Sequence, residues 1–161
     1  MTSPATATTI VELAAYRLQR ATFHATKHAH LAFARKFEIT GTEWRLIGTI
    51  ALFSPIAMLP LAEEADVQLA QASRTITSLA ERGLVRCDGD SKDKRKVMLS
   101  LTPRGKTLYR KAFAEAAQRN DRLMSALGEA DCAALFRMLD TIAAEGRLML
   151  EEERKLTAQS R

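Results

Sequence analysis

The positively charged side chains of this chain are concentrated in one segment, residues 82–111. That segment holds ten Lys and Arg and three Asp, a local charge of +7, whereas the whole 161-residue chain carries +5. Ammonium and guanidinium groups at this density are typical of a surface that binds the phosphates of nucleic acid. A solvated basic loop that binds nothing is the alternative interpretation of the same charges.

The pattern inside the basic segment predicts a β-hairpin. Residues 97–101 alternate with the period of a strand that has one buried face, and residues 84–87 are its predicted partner. The polar residues 89–94 between them are typical of a turn. We therefore expect a hairpin with a basic tip.

Two helices are predicted immediately before the hairpin, in residues 61–82, with a break at residues 66–68. Asp66, in the break, tolerates a left-handed backbone better than most residues. The second helix carries an apolar stripe with helical spacing, made of Leu69, Ala72, Ile76 and Leu79. Its other side is small and polar, with Gln71, Arg74, Thr75 and Ser78. Such a face can approach a DNA groove closely. Two short helices followed by a hairpin form a winged helix-turn-helix.

Four short motifs occur in order within residues 39–108. They are TGTEWR at residues 40–45, LAERGLV at residues 79–85, Asp93-x-Arg95, and LSLTPRG at residues 99–105. In this order they resemble the multiple-antibiotic-resistance-regulator (MarR) family of bacterial transcription factors. The resemblance implies a mainly α fold with a small β-hairpin wing, in which a winged helix-turn-helix is flanked by N- and C-terminal dimerisation helices.

The same resemblance implies an organisation and a set of DNA-binding positions. Residues 1–8 would be a flexible tail, 9–37 an N-terminal dimerisation helix, 38–108 the DNA-binding region and 109–161 the C-terminal dimerisation helices. The recognition helix would bind DNA through Gln68, Gln71, Ser73, Arg74 and Thr77, and the wing through Lys92, Asp93, Lys94 and Arg95. Arg95 would enter the minor groove, oriented by Asp93. The alternative for this pair is an exposed ion pair worth about 0–1 kcal/mol.

Apolar stripes on the flanking segments are wider than a small winged helix needs. The N-terminal stripe contains Ala14, Leu18, Ala21, Ala25 and Ala32, and the C-terminal one contains Cys132, Leu135, Phe136, Leu139, Ile142 and Ala143. Packing of terminal helices from two subunits would bury both stripes. The resulting two-fold dimer would present its recognition helices about one DNA turn apart. Packing within one chain is the alternative.

Trp44 begins a helix whose entry has a clear local signal. Thr40 and Glu43 predict a capping box, and Ile39 and Trp44 a hydrophobic staple. Trp44 is therefore first a packing residue. The family resemblance also implies an effector pocket where the first two helices meet the winged domain, and Trp44 would line that pocket.

All three histidines of the chain lie in residues 24–30. His24 and His28 share a helix face, with His28 expected to be half-buried in the apolar stripe, whereas His30 points nearly the opposite way. Three interpretations stay open. The pair could pack at an interface, hold an anionic aromatic effector together with Arg17 or Arg20, or bind a metal. Two histidines supply only half a tetrahedral site, so no metal site is assigned.

Cys87 lies beside Arg86, whose charge would lower the thiol pKa, whereas Cys132 is expected in the core.

No cofactor is expected, and there is no recurring set of nucleophile, base and orienting group, so an enzyme is disfavoured. The absence of a long apolar run or a signal-peptide pattern predicts a cytoplasmic protein. We expect a homodimeric, sequence-specific regulator that binds a pseudo-palindromic double-stranded operator, most simply a repressor released by a small aromatic acid. The alternatives are a constitutive DNA-binding protein without a ligand, and a thiol- or metal-responsive regulator of the same fold.

Overall fold

The computed structural model of the protein describes residues 8–89 and 97–159. After a 3-10 turn at Ile10–Glu12, the elements are α1 (Ala14–Phe37), α2 (Gly41–Phe53), β1 (Ile56–Ala57), α3 (Met58–Glu64), α4 (Leu69–Glu81), β2 (Val85–Gly89), β3 (Val97–Leu101), α5 (Pro103–Met124) and α6 (Glu129–Gln159). The chain divides into two compact units, residues 1–117 and residues 118–161. The predicted fold class, mainly helical with a small winged sheet, is confirmed. Within the described ranges, no helix combines the length and apolarity that crossing a membrane requires.

The N-terminal helix begins later than the sequence predicts. Leu13 has an extended backbone, with φ −67° and ψ 132°, and α1 starts at Ala14. The Glu12 carboxylate closes the preceding turn separately, because it accepts a hydrogen bond from the backbone N–H of Thr8 at 2.7 Å. At its other end α1 stops at Glu38, which adopts the left-handed conformation with φ 54°.

The helix-turn-helix has the predicted local structure. The Thr40 hydroxyl accepts from the Glu43 backbone N–H at 3.1 Å, and the Glu43 carboxylate accepts from the Thr40 N–H at 2.6 Å, which confirms the capping box that starts α2. Between α3 and α4 the chain turns at Asp66, which has φ 49° as its residue type allows. A guanidinium N–H of Arg45, on α2, donates to the Asp66 carbonyl at 3.1 Å and steadies this turn.

The sheet has three antiparallel strands in the order β1-β3-β2. In the predicted hairpin, Val85 pairs with Leu101 and Cys87 with Leu99. β1 was not predicted, because two residues are too short to show a period; it pairs Ile56 with Leu99 and makes β3 the central strand. Because Leu99 lies on this central strand, its side chain is fully buried.

The core of the first unit lies between α2, α3, α4 and the sheet. It includes the fully buried side chains of Leu46, Ile50, Leu61, Ile76 and Leu79. Leu69 was predicted to belong to the same stripe, but it is 48% exposed. It is the first residue of α4, so there is no preceding helical turn to cover it. The apolar stripe of α4 therefore consists of Ala72, Ile76 and Leu79.

Helix α5 starts in close contact with the α4–β2 connection. The Thr102 hydroxyl accepts from the Gly105 backbone N–H at 3.0 Å and donates to the Gly83 carbonyl at 2.7 Å. A Cβ at Gly105 would overlap the Leu84 carbonyl oxygen, so only glycine permits this approach. The start of α5 is therefore fixed against the connection that follows α4.

Candidate nucleic-acid interface

Helix α4 has one buried face and one exposed face. Ala72, Ile76 and Leu79 face the core, and the opposite side of the helix is formed by Ala70, Arg74, Thr77 and Glu81, all exposed. Gln68, Gln71 and Ser73 are exposed on the flanks. The five residues of α4 and its N-cap that the sequence predicts to bind DNA thus share the exposed side of one helix.

The polar groups of this face differ in what they can still bind. The hydroxyls of Thr75 and Thr77 donate to the carbonyls of Gln71 and Ser73, at 2.9 and 3.1 Å, so their hydrogens are already engaged. The side chains of Gln71, Ser73 and Arg74 have no hydrogen-bond or ion-pair partner among the residues that the structure describes. The donors of these three side chains are therefore available to a ligand.

A partly buried ion pair fixes the position of α4. The Arg82 guanidinium, at the C-cap of α4, lies 2.6 Å from the Glu43 carboxylate and donates to the Glu38 carbonyl at 2.9 Å. Glu43 is only 8% exposed, and its other oxygen caps α2. One guanidinium thus joins the end of α1, the start of α2 and the end of α4. The sequence predicts Glu43 as a cap, but a partner 39 positions away leaves no local signal.

The wing is described only at its base, in β2 and β3. Lys92, Asp93, Lys94 and Arg95 lie outside the described residues, so their role stays a prediction. At the base, Arg86 forms an ion pair with Asp88 at 2.8 Å. Of the six basic side chains of residues 82–111 that the structure describes, Arg82 and Arg86 form ion pairs within the chain.

The environment of Cys87 is opposite to the one that the sequence predicts. Desolvation, followed by the nearby Asp88 carboxylate, raises the pKa of the Cys87 thiol above its ordinary value. Arg86 does not lower this pKa because its guanidinium pairs with Asp88. Cys132 is partly buried, and its thiol lies 3.6 Å from the Met124 carbonyl oxygen.

We expect Cys87 to react slowly with iodoacetamide at neutral pH. A raised pKa lowers the thiolate fraction, and the thiolate is the nucleophile. In a Cys132→Ser background, the alkylation rate should rise to its plateau at a higher pH than that of a free cysteine, and Asp88→Asn should shift the profile to lower pH. A profile at or below that of free cysteine would show that Arg86 controls the thiol after all.

The five predicted effector residues do not form one pocket in a single chain. Trp44 packs between Phe33 and Tyr109, with ring centroids 4.7 and 5.8 Å away. Arg17 lies 16 residues before Phe33 on α1, about 24 Å along the helix axis. Its guanidinium donates to the Val11 carbonyl at 3.0 Å.

One of the three histidines, His28, is placed differently from the prediction. His24 and His28 are exposed, so His28 is not half-buried as expected, and Arg20 is exposed as well. His30 packs against Gly41 at the start of α2, where any side chain on residue 41 would overlap the imidazole. In the described part of the chain, no three His, Cys, Asp or Glu side chains are grouped as metal ligands.

A cleft that the sequence did not predict lies between α2, the end of β3 and α5. Its volume is about 640 Å³, and its lining includes Ile50, Ala51, Leu101, Lys106, Tyr109 and Arg110. Arg110 donates to the Thr107 hydroxyl at 3.3 Å. Apolar walls, an aromatic ring and two cationic side chains form a site suited to an aromatic anion. Residues this far apart in sequence give no joint signal before the fold is known.

Comparison with known proteins identifies the class of this fold and surface. Residues 61–105 match the family model described as a winged helix DNA-binding domain. The HTH-type transcriptional regulator FarR of Neisseria gonorrhoeae is 30% identical over 105 residues, which cover 65% of this chain and 72% of FarR. These matches make the chain a transcriptional regulator with a winged helix-turn-helix DNA-binding domain.

Several solved structures have the same fold as this protein over most of the length of the chain. A MarR/EmrR family transcriptional regulator from Acinetobacter sp. ADP1 has 27% identity and a TM-score of 0.78, covering 86% of this chain and 98% of that one. The transcriptional repressor CouR, bound to a 23-mer DNA duplex, has 25% identity and a TM-score of 0.74, covering 88% and 99%. BpsR of Bordetella bronchiseptica, whose DNA binding is regulated by 6-hydroxynicotinic acid, has the same fold at 19% identity, a TM-score of 0.74, and coverage of 86% and 98%. The chain belongs to the MarR family, which confirms the resemblance seen in its sequence motifs.

Proposed function

We propose that this protein is a homodimeric, sequence-specific repressor that leaves its operator when a small anionic aromatic effector binds. The observation that carries the proposal is the exposed side of α4, whose free polar donors lie on a helix held by Arg82 and Glu43. Gln68, Gln71, Ser73, Arg74 and Thr77 would contact the major groove. Lys92, Lys94 and Arg95 would contact the backbone and minor groove, with Asp93 orienting Arg95.

The dimer is supported by apolar side chains left exposed on α6. Met138, Ile142, Met149 and Leu156 share one face of this helix and are 46–63% exposed, and none of residues 129–159 is buried. A row of this kind is favourable only when another apolar surface covers it. A second copy of the chain would do so and would give the two-fold symmetry of a pseudo-palindromic site.

Repression follows most simply from occupancy of the promoter. CouR is a repressor whose structure has been solved bound to a 23-mer DNA duplex, and a dimer bound to DNA here would cover an overlapping promoter. The protein would act on DNA in the cytoplasm, and this role requires no catalytic step. Phosphate contacts would supply much of the affinity, and contacts from α4 the discrimination between sequences.

Among the described residues, the cleft between α2, β3 and α5 is better suited to the effector than the exposed histidines. An aromatic ring would pack on Ala51 and Tyr109, while its carboxylate would bind Lys106 and Arg110. Because α5 begins against the α4–β2 connection, a ligand that moves α5 would also move the recognition helix. Only a difference in affinity between the two arrangements would release DNA.

We expect Arg110→Gln to require at least tenfold more effector for half-maximal release, because a charge-assisted hydrogen bond is lost. The measurement is a titration of substituted benzoates against the protein–DNA complex, with the matching neutral benzamides as controls. His28→Ala, the variant for the alternative site on α1, should leave the titration unchanged. The opposite result for the two variants would place the effector on α1, and no release by any acid would favour a constitutive DNA-binding protein.

The DNA-binding role is tested by selecting duplexes from a random library with the purified protein. Arg74→Ala and Arg95→Ala should each weaken binding to the selected duplex at least tenfold at physiological salt with unchanged thermal stability. Arg154→Ala, an exposed arginine on α6, is the matched control. Equal affinity for all three variants would contradict the proposed interface.

A further inference from the structure

The outer row of α4 contains one arginine between two small side chains that carry methyl groups. Ala70, Arg74 and Thr77 are all exposed and are neighbours on the helix surface at spacings of four and three residues. We propose that Arg74 binds a guanine and that Ala70 and Thr77 contact the methyl groups of adjacent thymines. This assignment rests on the proposed function and specifies the base sequence that each recognition helix prefers.

Guanine is assigned to Arg74 because the guanidinium of this residue has no ion-pair partner among the described residues. Its neighbours one helical turn away, at positions 70, 71, 77 and 78, are Ala, Gln, Thr and Ser, so no carboxylate on α4 competes for the guanidinium. The residues that the structure describes supply it with no ion-pair partner either. A free guanidinium fork on a major-groove helix matches the two acceptors O6 and N7 of guanine.

The assignment of thymine follows from what Ala70 and Thr77 can still offer. Ala70 has only a methyl group. The Thr77 hydroxyl donates to the Ser73 carbonyl at 3.1 Å, so its hydrogen is not available to a base acceptor. Ala70 and the methyl group of Thr77 present apolar surface beside Arg74, and in the major groove the C5 methyl of thymine is the apolar group that such side chains contact.

Thr75 provides an internal control for this argument. Its hydroxyl donates to the Gln71 carbonyl at 2.9 Å, in the same way as that of Thr77, but its side chain is half-buried beside the core. Thr75→Ser and Thr77→Ser each delete one methyl group and keep the hydroxyl. The two substitutions should change the helix propensity of α4 by the same amount. They differ in position, because only the methyl group of Thr77 lies on the exposed side of α4.

The test replaces each thymine of the selected duplex with deoxyuridine, one position at a time. Wild-type affinity should fall about fourfold at one or two thymines per half-site, the effect of losing one buried methyl contact. Thr77→Ser should abolish the response at one of these positions, whereas Thr75→Ser should keep it. Replacing the adjacent guanine with 7-deazaguanine should weaken wild-type binding about tenfold and leave Arg74→Ala, which has no donor for N7, nearly unaffected.

Two results would overturn the inference. One is a selected half-site without guanine next to thymine, and the other is an affinity that changes less than twofold at every deoxyuridine position. In either case the selected duplex would still bind specifically, so the regulator function would stand. Failure to enrich any duplex would instead reject the proposed function itself.

Discussion

Replacing Arg82 with Ala should lower the free energy of unfolding by about 2–3 kcal/mol. The change leaves the Glu43 carboxylate, which is only 8% exposed, without its cation, and removes the donor to the Glu38 carbonyl. The Arg82 side chain is 35% exposed, so the loss should lie below that of a fully buried pair. Denaturant titration of the purified variant measures it.

Two further variants separate the ion pair from the cap. Glu43→Gln keeps the capping box, because glutamine also accepts from the Thr40 N–H, but removes the negative charge. The double variant Arg82→Ala with Glu43→Gln should therefore be more stable than Arg82→Ala alone, since no unpaired charge remains. Equal stabilities of these two proteins would show that the pair does not hold α4.

Placing two glutamates on the exposed apolar face of α6, by Ile142→Glu with Met149→Glu, should convert the proposed dimer into monomers. Charges in an apolar interface cost far more than the contacts they replace. Operator affinity should then fall at least a hundredfold, because the second half-site no longer binds as part of one molecule. Sedimentation velocity and fluorescence anisotropy measure the two effects.

Arg147→Glu is the matched control for this experiment. It changes the net charge by the same amount but lies on nearly the opposite face of α6. It should leave the protein dimeric and lower affinity only slightly. Dimers of the double glutamate variant that bind the operator normally would mean that another surface joins the subunits.

Local patterns explain which parts of the fold were predictable. The α4 stripe, the hairpin and the Thr40–Glu43 capping box depend on residues a few positions apart, and each is present. Three other features depend on segments that are far apart in sequence. They are strand β1, the cleft between α2, β3 and α5, and the ion pair of Arg82 with Glu43. No period or motif encodes those contacts.

The exposed side of α4 was predictable because a helix period is enough to define it. The structure places Gln71, Ser73 and Arg74 on that side, and their contacts with DNA stay a prediction. Cys87 and His28 were misjudged because the sequence does not show which neighbour takes a charge, or which stretch of a helix is covered. Asp88, rather than Cys87, receives the guanidinium of Arg86.

The most direct measurement of how α4 contacts DNA is affinity cleavage from the helix itself. An iron chelate attached to Ser73→Cys, in a protein whose Cys87 and Cys132 are changed to Ser, cuts the backbone nearest to α4. A two-fold dimer with both α4 helices in the major groove predicts two clusters of cuts on the selected duplex, related by two-fold symmetry and centred about one helical turn apart. Cuts spread evenly along the duplex, or confined to a single cluster, would contradict it.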